Sequence, residues 1–496
     1  MKQKTVRRPI RHNRPPDKSL WQGFIVQGTI ATALASASGI VAGGVWLGMK
    51  LTLDPDGLNW LSERLPDWTQ IALEDPNGPQ TLDEIRSSLR ASEAIPAEPV
   101  ELSNSPGRSE ILLPVLEERP TPCEPQCRKI VELRVYRKLD GANDTSESAT
   151  YYLVKQLSVS GPAESFVIAP LVDANASAPG STRSLPLTHL QRLTENVPQD
   201  GLWFNLIGER SEGDTPLTYG QIFRYNRDRS HLSLMLQWSS PAGQFPHWQE
   251  LTGGGIAELV VDRTVGLEPD FAAYRLQPHN FFLNPVRLEP ISISEPALDS
   301  RTYKNALLLA RSGLWSPART ILESIRQESG TQWTADAQAQ LDTIAFHADV
   351  TRTQAEASWA NPSQKVLAAL LDGRWTQGLE TLEGHFDRAP EIVQMLSADT
   401  NRLWRRIDAA LRVRPTDEDA VVWGVLVLAL QQDTPAAVLW LQERENVSLD
   451  TLDRCAQLLE RLGLGTWTIR TEEPENEYWE EDWNTEDWNT ENWQDF

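Results

Sequence analysis

"ALLLARSGLWSPARTILES", residues 306–324, is written again as "VLAALLDGRWTQGLETLEG" at residues 366–384. Gly313 and Gly373, Trp315 and Trp375, and Leu322 and Leu382 stand sixty residues apart in the two copies. A weaker third copy, "GVLVLALQQDTPAAVLWLQ" at 424–442, places Ala436 where the first has Ala318. Each copy carries helix-spaced apolar residues on both sides of a short break, the pattern of two helices joined by a tight turn. Long amphipathic stretches at 334–358 and 391–413 fill the gaps, so one unit is about three helices. Residues 297–465 therefore read as an all-α helical-repeat domain.

The spacing G-x-W-x-x-A-x-x-x-L at Gly313, Trp315, Ala318 and Leu322 resembles the second half of a tetratricopeptide motif. In that family a glycine turns the chain between two helices, an aromatic plugs the gap, and a small residue lets them approach closely. The resemblance implies stacked helical hairpins that bind other proteins. Two features depart from the family: the period is sixty residues instead of about 34, and the second copy has Gly378 in the alanine position. An ordinary helical bundle is the alternative.

Upstream, between residues 128 and 290, the apolar period changes to two. "KIVELRVYRKL", "TYYLVKQLSVSG", "SFVIAPLV", "LWFNLIGER", "YGQIFRY", "LSLMLQW" and "AELVVDRTV" are short runs rich in β-branched and aromatic residues, the signature of strands. "RYNRDRSHLSLMLQW" reads as a hairpin turning between Asn226 and His231, with Leu232, Leu234, Leu236 and Trp238 on one face. A β-sandwich or partly open barrel with a helix near 187–194 fits this region. Before it, residues 94–127 hold Pro96, Pro99, Pro106, Pro114, Pro120, Pro122 and Pro125, which reads as a semi-stiff linker. Residues 51–93, with short helices expected at 56–64 and 81–91, form a juxtamembrane collar.

That collar follows a membrane span. Residues 1–19 carry Lys2, Lys4, Arg7, Arg8, Arg11, Arg14 and Lys18 against a single acid, Asp17, and no charge occurs from Ser19 to Met49. A helix over residues 28–49 rises roughly 33 Å, enough to cross a hydrocarbon core of about 30 Å. Trp21 and Trp46 mark its ends, as interfacial aromatics do. The basic arm puts the N-terminus in the cytoplasm and the body outside. "ALASAS" offers a signal-peptide cleavage site, but the apolar stretch resumes at once, which favours a retained anchor over residues 20–50. Ala31, Ala35, Gly39 and Gly43 make a small-residue stripe through which two such helices can pair as a homodimer.

The formal net charge of -23, despite the basic arm, disfavours nucleic acid as a partner. The seven histidines are scattered without an HExxH, and Gly253–Gly255 lacks the lysine of a phosphate loop. No nucleophile elbow is present. These readings point to no catalytic, metal or cofactor site. Cys123 and Cys127 flank Pro125; outside the cytoplasm they can form a disulfide, and free thiols are the alternative. Trp203, Trp238 and Trp248 in the β-rich region are candidates for stacking on a sugar ring, or else core residues.

The chain ends on "EYWEEDWNTEDWNTENWQDF". Residues 466–496 read as an acidic, disordered tail whose period of five matches neither a helix nor a strand face. Its Glu481, Glu486 and Glu491 suit steering towards a basic protein surface, with Trp479, Trp483, Trp488 and Trp493 as anchors. A clasp onto the chain's own repeats is the alternative. The basic arm, the span, "WLSERLPDWTQI", "YGQIFRYN" and "ELVVDRTVGLEP" together resemble uncharacterised single-pass membrane proteins of cyanobacteria. That resemblance implies a plasma or thylakoid membrane and no activity. The expected molecule is a membrane-anchored, non-enzymatic scaffold, or alternatively an envelope glycan binder acting through its β-rich domain.

Overall fold

Thr81 opens the first described helix by a capping box: its side chain accepts from the Glu84 amide, and the Glu84 carboxylate accepts from the Thr81 amide. Two orphan donors are thereby satisfied at the point where the chain enters a sheet. The computed structural model describes residues 78–467, except 106–107, 120–126, 140–148, 172–179, 200, 213–214, 400 and 446. The expected arm (1–19), span (20–50), helix at 56–64 and most of the acidic tail lie outside the described residues. Among the described residues no helix is long and apolar enough to cross a membrane.

In chain order the β-rich part comprises β1 (Gln80–Thr81), α1 (Leu82–Ala91), β2 (Ile95–Pro96), β3 (Val100–Ser105), β4 (Arg108–Glu118), β5 (Arg128–Lys138), β6 (Thr150–Ser158) and α2 (Glu164–Ile168). It continues with β7 (His189–Leu193), β8 (Leu202–Glu212), β9 (Thr215–Asn226), β10 (His231–Ser240), β11 (His247–Gln249), β12 (Glu258–Asp262), β13 (Phe271–Pro278) and β14 (Val286–Pro290). The strands make three antiparallel sheets. The first runs β1-β6-β5-β4-β2 with β3 also on β4, the second β10-β9-β8-β7, and the third β11-β12-β13-β14.

The second sheet is sandwiched between the other two, because its strands bury both faces. Along β8, Leu202, Phe204 and Leu206 pack with Leu112, Leu133 and Val135 of the first sheet. The alternate residues Trp203 and Ile207 pack with Trp248, Leu259 and Val261 around the third. The period of two is thus present geometrically but invisible as polarity. Helix α1 covers the outer face of the first sheet, with Ile85 and Leu89 against Ile111, Leu113 and Tyr136.

Several local expectations are corrected here. Residues 94–127 are no linker: they hold β3 and β4, and Pro114 sits within β4 opposite Leu133 of β5. The many prolines obscured an alternation in which Ile111, Leu113 and Val115 face one core and Leu112 the other. The helix expected at 187–194 is the edge strand β7, held by pairing with β8. "SFVIAPLV", expected as a strand, begins with the helix α2. Leu232, Leu234, Leu236 and Trp238 do not share a face. A bulge between Leu234 and Leu236 shifts the register, so Leu232 joins one core and Trp238 the other. One inserted residue flips every side chain beyond it.

The all-α part contains, among the described residues, ten α-helices: α3 (Arg301–Arg311), α4 (Trp315–Ser329), α5 (Ala335–Glu356), α6 (Pro362–Leu371), α7 (Trp375–Gly384), α8 (Ala389–Ala398), α9 (Arg402–Val413), α10 (Glu418–Gln431), α11 (Thr434–Gln442) and α12 (Leu449–Arg461). Side-chain caps start many of them: Ser300, Thr334, Asn361, Asp417, Asp433 and Ser448 each accept from an amide of the first turn. Hairpins α3–α4 and α6–α7 turn at Gly313 and Gly373, with φ of 84° and 75°, a region that favours glycine. The period of sixty arises because each hairpin is followed by further helix: α5 in the first unit, α8 and α9 in the second, α12 in the third. Residues 391–413, expected as one helix, break at Asn401, whose φ is 72°, while the Asp399 carboxylate caps the Leu403 amide.

Two details of the repeat gain a cause. A Cβ on Gly378 would lie 3.1 Å from Trp423 Cζ2 and 3.3 Å from Leu370 Cδ2, so the indole of α10 crowds the space an alanine methyl needs. In the third copy Ala437, fully buried at the fourth position of α11, is the counterpart of Ala318, and Ala436 is only half-buried. The alignment on Ala436 is therefore corrected by one residue: Ala437 and Ala318 each stand fourth in their helix, and only residues 432–433 separate α10 from α11 where residues 312–314 separate α3 from α4.

Candidate functional site

The tryptophans of the β-rich part are packing residues. Trp203, Trp238 and Trp248 are 0%, 2% and 3% exposed. The Trp238 indole N–H donates to Asn205 Oδ1 at 2.9 Å, and Trp203 meets Trp248 edge-on with ring centroids 4.9 Å apart. No ring face is left for a sugar, so these three residues are removed as glycan contacts. Trp375 is 6% exposed, and its carbonyl accepts the Trp423 indole N–H at 3.0 Å. Trp315 is partly buried against the same core.

A groove of about 420 Å³ opens where the first two helical units meet. Four of its lining residues are arginines, each from a different element: Arg319 on α4, Arg352 on α5, Arg374 in the turn before α7 and Arg414 at the end of α9. Arg319 bonds Glu323 at 2.7 Å and Asp349 at 2.8 Å; Arg352 bonds the same Asp349 at 2.6 Å. Arg374 bridges Asp372 at 2.7 Å and Glu356 at 2.9 Å. Asp372, 3% exposed, also accepts from Ser316 Oγ and Thr351 Oγ1, which fixes the floor. The Arg414 guanidinium is exposed and holds no ion pair among the described residues. Its neighbours present a lattice of alternating charges. Such a surface matches an extended segment with its own acids and amides better than one small anion.

Two buried polar clusters carry chemistry-bearing residues without an opening. In the first, Glu110 (0% exposed) accepts from Tyr225 Oη at 2.5 Å, Ser230 Oγ at 2.7 Å and Arg137 Nε at 2.8 Å. Burial pushes the Glu110 carboxyl up, but bonds from Tyr225, Ser230 and Arg137 together with the Arg137 charge outweigh it and hold it below the usual range. The cluster ties β4 and β5 to β9 and the β9–β10 turn. It is a clamp between sheets.

The second cluster joins the β-rich part to the helices. His347 on α5 is 2% exposed, and its Nε2 accepts the Phe271 backbone N–H at 2.8 Å while Nδ1 lies 2.8 Å from the Thr343 carbonyl. An amide only donates and a carbonyl only accepts, so the ring is neutral with its proton on Nδ1. Trp315 stacks on it with centroids 4.0 Å apart. Burial lowers the His347 pKa. Glu268 in the β12–β13 connection adds ion pairs to Arg402 at 3.1 Å and Arg406 at 2.7 Å. The β-rich and helical parts belong to one unit, Pro79–Phe496.

Among the residues singled out in the sequence, Cys127 is disulfide-bonded, and Cys123, its expected partner, lies outside the described residues. Cys455 is free and fully buried. Burial pushes its thiol up to about 12. Ala31, Ala35, Gly39 and Gly43 lie outside the described residues, as do Trp479, Trp483, Trp488, Trp493, Glu481, Glu486 and Glu491. Among the described residues no cluster of three or more His, Cys, Asp or Glu side chains is placed to hold a metal ion. The arginine groove was missed in the sequence because its residues are spread from 319 to 414 and only helix stacking assembles them. Comparison with protein-family models and with curated proteins finds no match to this chain.

Proposed function

We propose that this chain is a membrane-anchored, non-enzymatic scaffold that binds other proteins through its helical region and its acidic tail. The groove at the junction of the first two helical units carries the reading. It draws lining residues from α4, α5, the α6–α7 turn and the end of α9, so an extended segment laid in it contacts several units at once. The turn glycines, the indoles beside them and the buried Ala318 support a tetratricopeptide-like kinship, in which stacked hairpins serve as binding surfaces. Anchoring rests on the uncharged run from Ser19 to Met49 and the basic arm, with the N-terminus cytoplasmic and the body outside, in a plasma or thylakoid membrane. The small-residue stripe supports a homodimer through the anchor. The tail contributes a second contact, its glutamates steering to a basic partner surface and its tryptophans anchoring there.

Crosslinking in native membranes tests this with three forms of the full chain: unaltered, lacking residues 468–496, and carrying Arg352→Glu with Arg414→Glu. Both arginines are partly exposed, so the fold should persist. One protein set should be captured by the unaltered chain and depleted in both altered forms. Identical capture by all three would sink the scaffold reading. A reporter fused after Phe496 that is active only outside the cytoplasm checks the orientation.

A further inference from the structure

A second open pocket, of about 500 Å³, lies where the β9–β10 turn meets the segment between β13 and β14. Two aromatic rings line it, Phe281 and Phe282, and Phe282 is left 59% exposed. That exposure is not slackness. The His279 amide donates to the Pro285 carbonyl at 2.7 Å and closes the loop. The buried Asn226 donates to the Leu283 carbonyl at 2.9 Å, and the buried Arg224 bonds Asn284 Oδ1 at 2.7 Å. The loop is pinned from beneath by two buried polar side chains of β9, which present Phe282 to solvent in a fixed place. A pre-set apolar ring on a rigid loop lowers the ordering cost of binding.

The surroundings define what fits. The Arg229 guanidinium lies 3.7 Å from the Phe282 centroid and covers one face. Asp228, His279 and Asn280 line the same pocket, are exposed, and make no side-chain hydrogen bond among the described residues. The set therefore offers an acceptor (Asp228), a donor (Arg229) and two groups that do both (His279 and Asn280) in the pocket that Phe282 lines. Hydroxyls, which donate and accept at once, satisfy all four; a purely apolar or purely anionic ligand does not.

We propose that this pocket is a saccharide subsite, in which the open side of Phe282 takes the C–H face of a pyranose and Asp228, Arg229, His279 and Asn280 bind its hydroxyls. The site returns carbohydrate binding to the β-rich domain by residues other than its tryptophans, which are core. It stands apart from the scaffold reading, because pocket and groove share no residue.

The test uses the full-length protein against an array of neutral and uronic-acid oligosaccharides, followed by calorimetric titration with the best binder. A site that holds one or two rings should give a dissociation constant of about 1 mM or somewhat tighter. Phe282→Ala should weaken binding by at least ~10-fold, and Asp228→Asn by a smaller factor, with unfolding midpoints unchanged because both side chains are exposed. Phe282→Trp should retain binding, since any aromatic face serves. The proposal is overturned if no oligosaccharide on the array binds, or if binding survives Phe282→Ala. Protein capture in native membranes should be indifferent to Phe282→Ala, which keeps failure of this subsite distinct from failure of the scaffold reading.

Discussion

The helical region and the central sheet each place one element in the middle of the molecule, and they treat it alike. In α10 ten consecutive residues, Ala420 to Ala429, are buried. In β8 every residue from Leu202 to Gly208 is buried. In the sequence the first is an unbroken apolar run and the second is interrupted only by Asn205, yet only one lies in a repeat. Around α10 the neighbouring helices each keep an apolar stripe and a polar face, as α9 does with Leu403, Ile407, Ala410 and Leu411 buried and Arg405 and Arg412 exposed. Around β8 the neighbouring layers come from residues about 70–90 positions before it and 40–60 after it. Local packing leaves a repeat in the sequence; layered sheets assembled from distant strands leave none.

The largest expected effect tests the β side of this contrast. Trp203→Ala removes a fully buried indole between the second and third sheets and should destabilise the protein by roughly 3–5 kcal/mol. Denaturant unfolding measures this directly, and unchanged stability would return Trp203 to the surface as a ligand contact.

On the helical side, Ala437→Leu should overpack the α10–α11 contact and cost about 1–3 kcal/mol. Ala436→Leu, one residue away and half-buried, should stay within about 0.5 kcal/mol. The reverse order would reinstate the alignment on Ala436.

The smallest effect concerns acid. His231, 6% exposed, has its pKa lowered to about 4 by burial and by the nearby Lys155, and His347 shifts in the same direction. Both groups are neutral in the folded state and take up protons more readily when unfolded. Their stabilisation is therefore present above the ordinary histidine value of about 6.5 and is lost as pH falls from there towards about 4. His231 alone should remove about 1 kcal/mol near pH 5.5. Asp262, Arg263 and Asp270 act on His347 from the third-sheet side, and its protonation also removes the acceptor for the Phe271 amide. Unfolding midpoints between about pH 7.5 and pH 5 should fall in the unaltered chain, and the slope should flatten in His231→Phe. A flat profile in the unaltered chain would mean that the two rings are not neutral and buried.

The sequence settled what is local. Helix period, the turn glycines Gly313 and Gly373, and the hairpin turning between Asn226 and His231 each depend on a few neighbouring residues, and each is where the chain implied. The saccharide pocket was not readable, because Arg229 and Phe282 are over fifty residues apart and nothing in "HNFFLNP" says which phenylalanine faces water. The arginine groove was hidden for the same reason.

Only the tertiary structure decided the faces. Whether Trp238 joins the same core as Leu232 or the opposite one depends on a one-residue bulge, and whether 94–127 is linker or sheet depends on β5 being there to pair with β4. It also decided that Gly378 yields its methyl to Trp423, an indole 45 residues downstream. Propensity acts over a turn or a strand at about 1 kcal/mol or less per residue. Burial of a whole face is worth several times that, and it is the distant partner that supplies the face.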